Sequence, residues 1–202
     1  MLFKMRSAYF AAALSTVLTV AAVASAKYSA QSPTVTVHAK GPAGMKIDGE
    51  SKTLKIDEDD KNVVFRTYLN TIDTKNGGRN KHLQERLGKI AKKDKDGKPE
   101  LDDKGQPKTV DHFEIKLTVP KDKIDLTKGG GTVPGTLSFH AMSKAVTVTY
   151  KIGSDKKVHG EFGFDVMQHG IKEEDLCFEP KTKSICAKSH VDVEVDFTLK
   201  VD

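Results

Sequence analysis

A chain of 202 residues with 33 Lys and Arg against 28 Asp and Glu carries a formal charge of +5 and a mean hydropathy of −0.45. That length suits one domain behind a short leader, and so small a surplus among so many ionised groups marks a solvated surface rather than a nucleic-acid footprint. With no Trp and 6% aromatic residues, the chain lacks the aromatic girdles of an outer-membrane barrel.

Lys4 and Arg6 precede a nearly unbroken run of small and apolar residues from 8 to 23, and Ala24-Ser25-Ala26 forms a small-x-small cleavage site. This is the three-part grammar of a secretory signal peptide, and the run falls short of the ~20 residues a spanning helix needs. Residues 1–26 are therefore expected to be removed. Lys27 follows the site where a lipid-anchored protein has Cys, so the mature domain, 27–202, is expected to be soluble, without membrane insertion, in the periplasm or beyond it. Losing two cations lowers its charge to +3.

Beyond the leader the dominant signal is period-two alternation, the mark of strands with one buried face. Strands are expected at 35–39, at 45–57 with a bend near Gly49, and at 63–69, with turns at Gly41-Pro42 and 59–62. Asn80 is placed to cap a short helix carrying Leu83, Leu87 and Ile90 on one face. Residues 92–108, with two Asp-Gly or Lys-Gly pairs and two prolines, read as an exposed, mobile loop. Within it, Asp94-x-Asp96-Gly97 puts Lys92 where a calcium loop has its first carboxylate, so a turn is expected there.

Further strands are expected at 113–119, 137–141, 146–152 after a turn at Ser143-Lys144, 158–166 after a turn at 153–156, and 191–201. Cys177 and Cys186 are suited to a local disulfide in an oxidising compartment. Their spacing is too wide for a redox pair, and no second pair completes a zinc site.

Eight antiparallel strands and one helix too short to cover them make an all-β protein. Its sheet must cover its own apolar face, by closing into a barrel or by packing as two layers. On the inward phase stand Phe65, Phe113, Ile115, Leu137, Phe139, Val148, Phe162, Phe164 and Phe197. An eight-stranded barrel either fills with such side chains or holds one small ligand.

No Gly-x-Ser-x-Gly elbow, P-loop or Gly-x-Gly-x-x-Gly motif is present. None of the seven His residues forms a His-x-His or His-x-x-x-His pair, and His112, His140, His159 and His190 lie on polar strand faces. No catalytic activity, metal or cofactor is expected.

The segment LNTIDTKNGGRNKHLQERL (69–87) resembles the signature of the YceI-like family of periplasmic polyisoprenoid-binding proteins, through Asp73, Thr74, Arg79, His82 and Leu83. GTLSFHAMSKAVTVTYKI (135–152) is similar to that family's strand-turn-strand. The resemblance implies a lipocalin-like eight-stranded barrel enclosing a polyisoprenoid or similar amphiphile. It makes the inward residues above candidates for lipid contact, and Asp73, Arg79, His82 and Leu83 structural signature residues, with Asp73 able to pair with Arg79. The alternative is a ligand-free stress-response or interaction module with a filled core. The sequence carries no signal for oligomeric state.

Overall fold

The computed structural model describes residues 28–125, 127–179 and 184–201; the expected leader, 1–26, lies outside them. In chain order the strands are β1 (Tyr28–Lys40), β2 (Lys46–Ser51), β3 (Lys55–Glu58) and β4 (Asn62–Tyr68), then helix α1 (Gly77–His82), β5 (Lys89–Ala91) and β6 (Thr109–Asp111). They continue with β7 (Glu114–Pro120), β8 (Gly130–Phe139), β9 (Met142–Ile152), β10 (Lys157–Asp165), β11 (Cys177–Glu179), β12 (Ser184–Cys186) and β13 (His190–Val201).

Nine strands form one curled antiparallel sheet in the order β2-β1-β13-β10-β9-β8-β7-β4-β3, while β5–β6 and β11–β12 are separate hairpins. The two edge strands, β2 and β3, are consecutive in the chain and parted only by residues 52–54. Taken as one interrupted stave, they pair with β1 on one side and β4 on the other. The sheet is then the expected eight-stranded barrel, a simple meander whose first strand returns to its last. The bend expected near Gly49 falls instead at 52–54. Gly49 has another reason to be glycine: a Cβ there would lie 2.6 Å from Ile72 Cγ2.

Where the ladder is interrupted, other bonds hold the seam. Glu50 and Asp73 exchange backbone hydrogen bonds (3.0 and 2.8 Å). Four hydroxyls then form a knot: Ser51 Oγ lies 2.7 Å from Thr71 Oγ1, and Thr53 Oγ1 lies 2.9 Å from both. Thr67 Oγ1 donates to the Thr53 carbonyl (2.6 Å) and Thr71 Oγ1 to that of Tyr68 (2.6 Å). Ser51 and Thr67 are buried. A buried acceptor deprived of its donor costs about 1–3 kcal/mol. The near-isosteric Thr67→Val should therefore lower stability by about that much in denaturant unfolding. An unchanged midpoint would show that the Thr67 hydroxyl adds nothing to the seam.

Alternation sets the core. Val133, Gly135, Leu137 and Phe139 of β8 are buried, while Thr132, Pro134 and Thr136 on the alternate phase are exposed. Val191, Val193 and Phe197 of β13 do the same. The outer faces carry the charges, as with Lys151 opposite His159.

Three local expectations are corrected. The β8–β9 turn is His140-Ala141, with φ of 51° and 58°, and pairs Phe139 with Met142. Such a turn favours Asn or Gly at both positions, and their absence concealed it. The helix is capped by Asn76, whose side chain accepts from Arg79 N (3.0 Å), rather than by Asn80, and Ile90 lies in β5.

Residues 92–108 are exposed but regular: two turns repeat with a period of eight. The Asp94 carboxylate accepts from Asp96 N and Lys98 N (both 2.9 Å), and that of Asp102 from Lys104 N (2.9 Å) and Gln106 N (2.8 Å). Gly97 and Gly105 supply the positive φ that each turn requires.

Candidate functional site

The inward residues enclose a cavity of about 750 Å³, well within the range of small-molecule sites. Every stave contributes to its wall: Val35, Ile47, Phe65, Ile115, Leu137, Val148, Phe162 and Phe197 are one example from each. Phe65, Phe139 and Phe164, from three strands, meet in this one lumen. Phe139 stands edge-on to Phe164 (centroids 5.9 Å), and Phe65 lies 6.2 Å from Phe197.

Of the nine expected lining residues, Phe65, Ile115, Leu137, Phe139, Val148, Phe162, Phe164 and Phe197 line the cavity. Phe113 does not. β7 begins at Glu114, so the pleat does not aim residue 113. Its ring packs over Gly88, where a Cβ would lie 2.4 Å from the ring, and its carbonyl accepts from Leu69 N (2.8 Å).

One end of the cavity is floored by Ile124, Ile152 and Tyr150, whose hydroxyl accepts from Asp125 N (2.9 Å). There Lys121 pairs with the largely buried carboxylate of Glu58 (2.8 Å). The other end is framed by α1 and the disulfide hairpin.

At the α1 end Thr74 is buried, and its N–H and hydroxyl both donate to Asn80 Oδ1 (2.8 and 2.7 Å). Asn80 Nδ2 donates in turn to Asp73 (2.9 Å). Asp73 also accepts from Lys75 Nζ (3.0 Å), and with Asn80 acting most strongly its carboxyl pKa falls to about 2. The expected Asp73–Arg79 pair is therefore absent, because Asn80 and Lys75 occupy the carboxylate. Arg79 Nη2 donates instead to the Thr74 carbonyl (3.4 Å). Arg79, His82 and Leu83 all line the cavity here.

His82 Nε2–H donates to the Asp175 carbonyl (3.1 Å), linking α1 to the turn before the hairpin. Cys177 and Cys186 are bonded and sit directly opposite each other in β11 and β12. Leu176, Ala187 and Lys188 beside them line the mouth, and Lys188 N donates to the Lys40 carbonyl (2.7 Å). Sequence reasoning missed this second wall, since nothing local tells that a cysteine hairpin folds over a barrel end.

The described residues contain no group of three or more His, Cys, Asp or Glu able to hold a metal. The side chains of six of the seven histidines have hydrogen-bond partners. His159 bonds Glu161 (2.7 Å) and Asp196 (2.8 Å), which raise its pKa, Glu161 most. His140 contacts the carbonyls of His169 and Lys89 (3.1 and 2.7 Å), fastening the β8–β9 turn to its neighbours.

A polyisoprenoid-binding domain from Saccharophagus degradans, implicated in plant cell wall breakdown, has the same architecture, with a TM-score of 0.60 over 88% of this chain and 99% of that one. The chain has the YceI-like fold. BcnA from Burkholderia cenocepacia is also similar, with a TM-score of 0.52 over 83% of this chain and 94% of its own. Identities of 13% and 14% make these likenesses of fold. No family model and no curated protein matches the sequence. In this YceI-like barrel the wall is apolar along its length, and polar groups gather only at the two ends.

Proposed function

We propose that this chain is a non-catalytic, periplasmic member of the YceI-like family that carries or sequesters a polyisoprenoid or similar amphiphilic lipid inside its barrel. The observation that supports this most is the cavity, apolar on every stave and with its charged lining residues at the ends. Each methylene moved from water into such a space contributes about 0.8 kcal/mol, so a few isoprene units suffice for tight capture. A filled-core interaction module is disfavoured by a lumen of about 750 Å³.

The outward faces carry charge and the apolar phase faces in, an arrangement suited to a barrel surrounded by water. Among the described residues no helix is long and apolar enough to cross a membrane. The Cys177–Cys186 bond suits an oxidising compartment, as the leader sequence does.

One native mass spectrum of protein purified from its host envelope without organic solvent tests both halves of the reading. The polypeptide should begin at Lys27 and carry bound mass of several hundred daltons. Protein retaining Met1 would overturn the compartment, and bare protein that also fails to take up added polyisoprenol would overturn the carrier role.

A further inference from the structure

The ends of the cavity differ in charge balance. At the floor, Lys121 is neutralised by Glu58. At the mouth, Arg79 has no ion pair among the described residues. Three buried side-chain nitrogens lack a hydrogen-bond partner among those residues, and only Arg79 Nε belongs to a residue lining the cavity. Of the guanidinium's donors, one is engaged, and that by a long contact to the Thr74 carbonyl (3.4 Å).

The neighbouring carboxylates are already committed. Asp73 is held by Asn80 and Lys75, and Asp175 Oδ2 accepts from Lys172 N (3.2 Å). Lys188 adds a second cation to the same mouth. A guanidinium stays charged at every physiological pH and presents a planar fork of donors that fits carboxylate and phosphate oxygens. Left beside an apolar lumen without a counter-ion, it is an incomplete site.

Resting on the lipid-binding reading, we propose that Arg79 receives the head of the bound lipid and that this head is an anion, a phosphate or a carboxylate. The lipid then lies with its head between α1 and the disulfide hairpin and its tail toward Tyr150 and Ile152. Arg79 Nε and the free Nη donors hold the head oxygens, and Lys188 adds to the attraction from across the mouth.

The test uses delipidated mature protein and three C20 isoprenoids with one tail: geranylgeranyl phosphate, geranylgeranoic acid and geranylgeraniol. Each competes for the lumen with the fluorescent apolar probe N-phenyl-1-naphthylamine. At least one anion should displace the probe at about tenfold lower concentration than the alcohol, the size expected of charge-assisted bonds. Comparing phosphate with acid then names the head. Arg79→Gln should remove the anion's advantage over the alcohol.

An alcohol as potent as both anions, or an advantage that survives in folded Arg79→Gln, would overturn the proposal while leaving the lipid carrier intact. Failure of all three to displace the probe would overturn the carrier reading and this proposal with it. Arg79→Lys, which keeps the charge without Nε, should retain part of the advantage. It decides the matter if the glutamine variant does not fold, since unchanged affinity for both anions would dismiss the guanidinium.

Discussion

Phe139→Ala should destabilise the lipid-free protein by about 3–5 kcal/mol and the lipid-loaded protein by clearly less. Phe139 is buried, with its ring edge-on to Phe164 at 5.9 Å and to His169 at 5.7 Å. Removing a phenyl ring from a close-packed site leaves a void that its neighbours fill only in part, which is the source of the large cost. Here the ring also faces the lumen, so a flexible tail can occupy the space it leaves. Phe162→Asp, in the same wall, should by contrast expel lipid. A lone carboxylate among Phe164, Val148 and Val193 has no cation to meet, and burying it costs several kcal/mol. Denaturant unfolding of both variants with and without added polyisoprenol measures this. Equal losses for loaded and empty Phe139→Ala would show that no lipid occupies the site beside that ring.

Replacing Cys177 and Cys186 together by Ser should lower stability by about 2–3 kcal/mol, the chain-entropy value for so short a loop. The consequence for the site should be larger than that for the fold. Cys177 is fully buried, and the residues flanking the bond, Leu176, Ala187 and Lys188, form one wall of the mouth. Without the cross-link that wall depends on the short β11–β12 ladder, the His82 bond to the Asp175 carbonyl, and two backbone bonds, Ala187 N to Leu176 O and Lys188 N to Lys40 O. Release of a fluorescent lipid analogue should therefore accelerate while the barrel stays folded. In untreated native protein neither thiol should react with a maleimide; two labelled cysteines would refute the bond.

The staves were the legible part of this molecule. Residues such as Val191, Val193 and Phe197 alternate with charges because one face meets the lumen and the other meets water, and that demand is written residue by residue. The position of Phe113 was misread by the same rule, since alternation continues one residue beyond the point where β7 starts to impose it. What lies between staves was less legible. The turn at His140-Ala141 uses residues that do not announce a positive φ, and the hydroxyl knot joins Ser51, Thr53, Thr67 and Thr71 from separate segments. Arg79 stood out as part of a motif, but its unmatched nitrogen depends on Asp73 being claimed by Asn80 and Lys75. No spacing in the chain encodes that competition.

The ring closes where β1 pairs with β13, Tyr28 opposite Val201 and Ala39 opposite Val191, while every other junction joins staves that follow one another in chain order around the ring. Five of the eight junctions can thus zip locally as hairpins, while β4–β7 and β10–β13 enclose insertions of 45 and 24 residues. The eighth must bring together segments more than 150 residues apart, at a cost in loop-closure entropy that the earlier junctions largely offset by shortening the effective loop. During synthesis or passage through a narrow channel, β1 emerges first and must wait, unpaired on that edge, for the final strand. The barrel wall is continuous only once that last pairing forms, so a lipid present at that stage could be enclosed by the closing wall as well as admitted later through the mouth.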